Sequence, residues 1–97
     1  MNRSEVLELL SKHREQVREQ FGAKHLALFG SAARDELRDD SDIDVLVEFE
    51  GPATFDGYLG LKTYLEQIFH AKVDLATDAM IKPRLRRYID KDIIRVA

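Results

Sequence analysis

Ninety-seven residues with a formal net charge of −3 and no cysteine leave room for one hydrophobic core and exclude disulfide or thiolate chemistry. No apolar run approaches the roughly 18 residues of a membrane span. The opening Met-Asn-Arg-Ser-Glu-Val lacks a signal-peptide core, so a single cytoplasmic domain over 1–97 is expected. Charge is unevenly placed. Residues 35–50 hold eight acids against one base, Arg38, while residues 81–97 hold six bases against Asp90 and Asp92. One region can hold cations and the other anions, and neither offers the broadly basic face that duplex DNA requires. No direct nucleic-acid binding is expected.

Residues 2–21 predict an amphipathic helix, because Val6, Leu9, Leu10, His13, Val17 and Phe21 recur at spacings of three and four. Asn2 with Glu5 three residues on is a capping-box variant, and Gly22 stops the helix. His13, inside the apolar stripe, reads as a packed histidine. Residues 24–29 predict a first strand and residues 31–37 a short helix, with Arg38-Asp39-Asp40-Ser41 as its polar exit. Residues 42–49 predict a second strand, ended by Gly51-Pro52-Ala53 because proline cannot donate to a ladder.

Residues 54–70 predict a central helix. Its apolar side chains, Phe55, Tyr58, Leu59, Leu61, Tyr64, Leu65, Ile68 and Phe69, spread over more than half the circumference, where a surface helix needs about a 100° stripe. Burial on two sides and contact with another protein both account for that. Residues 72–77 predict a third strand with Val73 and Leu75 on one face and Asp74 on the other. Asp78 reads as the N-cap of a last helix over 79–91, with Pro83 in its first turn. Residues 92–96 read as a short apolar tail, with a strand as the alternative. Arg84, Arg86, Arg87 and Lys91 read most simply as a solvated face, with an anion or partner contact as the alternative. Alternating strands and helices imply an α/β (α+β) domain with a small mixed sheet.

The chemistry gathers in residues 26–47. Gly30 lets the backbone turn sharply and a ligand approach where there is no Cβ. Ser31 falls at the predicted N-cap of the short helix, where free N–H groups favour an anion such as phosphate. Asp42 and Asp44 open the second strand and point the same way, about 7 Å apart, and hard oxygen ligands of this kind suit Mg²⁺. Singly, each part has a plain reading: a turn with a cap, and two solvated carboxylates. Together they set a phosphate cradle against a carboxylate pair, which is what metal-assisted nucleotidyl transfer needs. If the third strand pairs beside the second, Asp74 faces Asp42 and Asp44.

Gly30-Ser31, ten residues, then Asp42-Ile43-Asp44 resembles the GS-x10-DxD signature of the DNA-polymerase-β-like nucleotidyltransferases. The apolar strand 26–29, Ala33-Arg34 and Ser41-Asp42-Ile43-Asp44 match the flanks of its small members, and the chain as a whole resembles the minimal nucleotidyltransferase (MNT) group, antitoxin partners of HEPN-domain toxins. The resemblance covers roughly residue 24 to the C-terminus. It implies the nucleotidyltransferase fold, a small mixed sheet with helices mainly on one face and the site at its open edge. It also implies Asp42, Asp44 and Asp74 as catalytic ligands of two Mg²⁺ ions, with Gly30, Ser31 and Arg34 at the nucleotide, ATP. For Arg34, a salt bridge to a loop acid is the alternative. The function implied is that of an antitoxin in a type VII-like HEPN/MNT system, a protein adenylyltransferase that transfers AMP to a tyrosine of its HEPN ribonuclease toxin. Two other functions fit the same chain: a non-catalytic antitoxin acting by occupancy through the central helix, and a nucleotidyltransferase acting on a small molecule or RNA with a second subunit.

Overall fold

Asn2 and Glu5 start the first helix by capping each other. The Glu5 N–H donates to Asn2 Oδ1 at 2.9 Å and the Asn2 N–H to Glu5 Oε1 at 3.1 Å. In the computed structural model, which describes residues 1–96, α1 then runs Arg3–Phe21 and ends at Gly22, whose φ of 73° is the left-handed conformation that glycine adopts without penalty. There follow β1 (Ala23–Leu28), α2 (Gly30–Ala33), β2 (Ile43–Phe49), α3 (Phe55–Phe69), β3 (Val73–Thr77), a 3₁₀ turn (Asp78–Met80), α4 (Pro83–Asp92) and β4 (Ile94–Arg95). The sheet order is β3-β2-β1-β4. β1 pairs antiparallel with β2 and β4, while β2 and β3 are parallel, so α3 serves as the crossover between them.

Side chains alternate across the strands, and that alternation builds the core. Leu26 and Leu28, Ile43, Val45 and Val47, and Val73 and Leu75 meet Val6, Leu10 and Val17 of α1 and Leu61, Leu65 and Phe69 of α3. Truncating one of these, Leu61→Ala for example, would cost about 2–5 kcal/mol. The opposite face carries Ala27, Asp44, Leu46 and Asp74, and a cavity of about 50 Å³ separates Ala27 and Leu46 from Arg86 and Ile93. Among the described residues no helix is long and apolar enough to cross a membrane.

The broad apolar belt of α3 is mostly consumed within the domain. Leu61, Leu65 and Phe69 are buried, and Tyr58, Tyr64 and Ile68 pack against the core. Phe55 and Leu59 stay exposed. The Thr54 side chain caps this helix, accepting from the Gly57 N–H at 3.0 Å. His13 is half-buried, with Nδ1 2.8 Å from Tyr64 Oη and 3.0 Å from Gln16 Oε1, so it packs polar atoms between α1 and α3.

Two elements differ from their predicted form. The short helix stops at Ala33 rather than Leu37. Asp35 takes the left-handed conformation, φ 59°, and the Glu36 N–H donates to the Ser31 carbonyl at 2.9 Å and the Asp35 N–H to Ala32 at 3.3 Å. These bonds close a Schellman motif with aspartate in the place usually taken by glycine. The Asp35 carboxylate also accepts from the Arg3 N–H at 2.9 Å, which ties the turn to the start of α1. The last helix begins at Pro83, not 79. The residue before a proline is pushed out of helical geometry, and Lys82 is accordingly extended at φ −67°, ψ 142°. Asp78 opens the 3₁₀ turn and makes no side-chain cap there; its carboxylate pairs with Arg86 instead.

Candidate active site

β1 delivers the chain to a sharp turn. The Phe29 N–H donates to the Asp44 carbonyl at 3.1 Å, which locks the end of β1 to the start of β2. Gly30 follows with φ +65°, and a Cβ built there would lie 2.2 Å from Asp44 Oδ2. No side chain fits in that space, so the Asp44 carboxylate stands directly against the Gly30 backbone. The N-cap position of α2 is Phe29, without a side-chain cap. Ser31 therefore sits in the first turn of the helix rather than at its cap.

The parallel register places Asp44 opposite Asp74, on strands about 4.8 Å apart. Asp42 is exposed just before β2, and the Ile43 N–H beside it donates to the Lys72 carbonyl at 2.9 Å. Asp44 is half-buried and Asp74 exposed. Burial, then the charge of Asp74 and a hydrogen bond to it, then the charge of Asp42 push the Asp44 carboxyl up to about 6, and Arg34 opposes the shift. Carboxyl groups this close resist ionising together, so a proton or a cation must lie between them.

Among the described residues no three His, Cys, Asp or Glu side chains gather into a ready metal cage. The donors nevertheless fit Mg²⁺: hard carboxylate oxygens, with the proton affinity of Asp44 raised, beside a turn too tight for a Cβ. Mg²⁺ uses one or two carboxylates and completes its shell with water and substrate phosphate rather than an all-protein cage.

Arg34 forms both the predicted loop salt bridge and an unpredicted one. Its Nε lies 3.3 Å from Glu36 Oε2 and its Nη1 3.2 Å from Asp92 Oδ2 of α4. These bonds, with Glu36 first, raise its already high pKa. The bridge to Asp92 brings α4 beside the turn. A cleft of about 230 Å³ results, lined by Phe29, Gly30, Arg34, Tyr88, Ile89, Lys91 and Asp92. The sequence reading left Tyr88 and Asp92 out of the site. The signal was faint: a basic helix with one aromatic residue, more than 50 residues from Gly30.

A tight glycine turn facing carboxylates on adjacent parallel strands, in a four-stranded mixed sheet, is the layout of the nucleotidyltransferases. Residues 10–96 match the nucleotidyltransferase domain family, and the chain belongs to that family, within its minimal nucleotidyltransferase branch. It is 43% identical over 96 residues to a Methanocaldococcus jannaschii protein provisionally named a protein adenylyltransferase, covering 96% of each. It is also 32% identical over 92 residues to the protein adenylyltransferase MntA of Thermococcus cleftensis, covering 95% of this chain and 93% of that one. A solved structure provisionally described as a minimal nucleotidyltransferase superimposes with a TM-score of 0.74 at 38% identity, over 91% of this chain and 93% of that one. The fold is shared further with the MNT antitoxin in a complex with tri-AMPylated Shewanella oneidensis HEPN toxin, at a TM-score of 0.66 and 16% identity over 94% and 71% of the two chains.

Proposed function

We propose that this nucleotidyltransferase is an antitoxin that transfers AMP from ATP to a tyrosine hydroxyl of a partner HEPN ribonuclease toxin, in the cytoplasm. The observation that carries the reading is the approach of Asp44 to Gly30, with Asp74 in register across from it. That approach sets the carboxylates against a glycine turn at the start of α2, of the kind that can hold a polyphosphate. The names of the archaeal relatives and the AMPylated toxin in the Shewanella complex support the acceptor class.

In this mechanism Gly30 and Ser31 offer backbone N–H groups to the β- and γ-phosphates at the start of α2. Asp42, Asp44 and Asp74 would hold Mg²⁺, which when bound neutralises charge on the phosphate oxygens. The tyrosine oxygen attacks the α-phosphorus, forming an O–P bond. The bond from the α-phosphorus to the oxygen bridging the β-phosphate breaks, and pyrophosphate leaves. Asp74, the more exposed of the facing pair, takes the phenol proton. Arg34 steadies the phosphates, in competition with Asp92 for its guanidinium.

Intact-mass measurement of the toxin after incubation with the protein, ATP and Mg²⁺ tests the reading. Each transferred AMP adds about 329 Da, as expected of nucleotidyl transfer from ATP. An unmodified toxin that is nevertheless fully neutralised would overturn it in favour of occupancy.

A further inference from the structure

The chain has three tyrosines, and the fold uses two of them. Tyr58 donates its hydroxyl to the Leu75 carbonyl. Tyr64 donates to Gln16 Oε1 at 2.7 Å and meets His13 Nδ1 at 2.8 Å. Both rings pack against the core. Tyr88 is different. It is 64% exposed, and its hydroxyl makes no hydrogen bond among the described residues. Its ring forms part of the cleft wall shared with Gly30 and Arg34.

Two ion pairs link its helix to the rest of the fold. α4 is braced at one end by Arg34–Asp92 at 3.2 Å. Arg86 of α4 pairs with Asp78 of the 3₁₀ turn and, within the helix itself, with Asp90 at 3.0 Å. The Lys91 ammonium lies 5.8 Å from the centre of the Tyr88 ring, so positive charge accompanies the phenol in the cleft, of the sign that draws a polyphosphate. The molecule thus holds one accessible, unengaged phenol beside its own phosphate turn.

We propose that Tyr88 is an AMP acceptor in the same molecule, modified when no partner hydroxyl occupies the site. This rests on the nucleotidyl-transfer reading of Gly30, Asp44 and Asp74. Tyr88 Oη attacks the α-phosphorus of ATP, and an Oη–P bond forms. The bond from that phosphorus to the oxygen bridging the β-phosphate breaks, and pyrophosphate leaves. The phenol proton passes to a site carboxylate and on to water. The product carries AMP on the cleft wall, where it competes with incoming nucleotide. The reaction therefore stops at one group per chain and lowers the affinity of the modified protein for ATP.

The test uses the full chain with ATP and Mg²⁺ and no partner, read by intact mass and peptide mapping. The expected result is one adduct of about 329 Da, the mass of one transferred adenylyl group, on the peptide holding Tyr88. It should be lost in Tyr88→Phe, whose fold is checked by circular dichroism and thermal melting, and lost in Asp44→Asn. A mixture of Tyr88→Phe with Asp44→Asn should give no adduct on either chain, because the active site and the acceptor lie on different molecules. An adduct on the Asp44→Asn chain in that mixture would overturn transfer within one molecule, and an adduct mapped elsewhere would overturn Tyr88 as acceptor. No adduct from a preparation that does modify the toxin would overturn this proposal and leave the proposed function standing. A preparation that modifies neither itself nor the toxin would overturn both.

Discussion

Asp44 on β2 and Asp74 on β3 lie opposite each other in a parallel register, so that each carboxyl group feels the charge of the other. Burial first, and then the charge of Asp74, raise the Asp44 pKa to about 6 from an ordinary value of 3.8, which makes a prediction about stability and pH. An acid with a raised folded pKa binds its proton more tightly when folded. Its stabilising contribution is therefore fully present below about 3.8 and is lost as pH rises through about 6. At about 1.4 kcal/mol per unit the whole shift would be worth about 3 kcal/mol. Asp44 is only half-buried, and solvent screening leaves about 1 kcal/mol. Asp44→Asn should therefore be more stable than wild type at pH 7 by about that amount, with the advantage fading toward pH 4. Urea melts of both proteins across the window provide the check. A difference of opposite slope would mean that the Asp44 carboxylate is held by a cation of the protein, not by Asp74. Mg²⁺ should stabilise wild type at pH 7 by mass action and Asp44→Asn much less.

Gly30 should be far more sensitive than Gly22, although both have positive φ. Gly22→Ala meets nothing within 4 Å and carries only the left-handed penalty, about 1 kcal/mol. Gly30→Ala adds the collision with Asp44 Oδ2 and should cost about 2–4 kcal/mol. Asp44→Ala removes the colliding atoms, so the Gly30→Ala/Asp44→Ala double variant should recover the excess and leave the backbone penalty. Additive losses in that cycle would place the strain elsewhere in the turn.

The site's first half was legible because it is local. Gly30, Asp42 and Asp44 lie within fifteen residues, and strand alternation alone aims both carboxylates one way. Asp74 was legible only conditionally, since its place depends on β3 pairing parallel to β2, a long-range event that no local pattern specifies. The fold's central elements followed from periodicity, but the end of α2 did not. Asp35 in the left-handed conformation closes that helix, a role sequence reading assigns by default to glycine. The cleft wall was illegible for the same reason as Asp74: Tyr88, Lys91 and Asp92 reach Gly30 only after the chain has crossed the sheet and returned.

Arg34 allows its two roles to be separated. Its partners Glu36 and Asp92 are surface acids, and exposed ion pairs contribute little to stability. Arg34→Ala should leave the thermal midpoint unchanged and weaken ATP binding about three- to tenfold, the loss of one charge-assisted contact to phosphate. Asp92→Asn frees one edge of the guanidinium and should shift ATP affinity the other way. Calorimetry with Mg-ATP distinguishes these directions. A lowered midpoint with unchanged affinity would make Arg34 a brace between α2 and α4 alone.

Whether neutralisation is catalytic can be read from stoichiometry. A modified toxin need not stay bound, so one molecule of the protein should silence many toxin molecules when ATP and Mg²⁺ are present. An antitoxin acting by occupancy needs at least one copy per toxin and is indifferent to nucleotide. Exposed apolar side chains on α3, Phe55 at 75% and Leu59 at 41%, are what a purely steric device would use, and they lie on an element that contributes nothing to the carboxylate site. The two mechanisms therefore fail to different substitutions. Asp42→Ala/Asp44→Ala should fold, because it removes repulsion rather than a stabilising pair, and should lose neutralisation at substoichiometric ratios. Phe55→Ser/Leu59→Ser should retain the chemistry on a small phenol-bearing peptide, even if toxin docking weakens. A ribonuclease assay titrated with each variant gives the answer. Full neutralisation at one-to-one by the double aspartate variant, with none at lower ratios from wild type, would assign the activity to binding. Persistent silencing after the wild-type protein is removed from the mixture would assign it to the covalent mark.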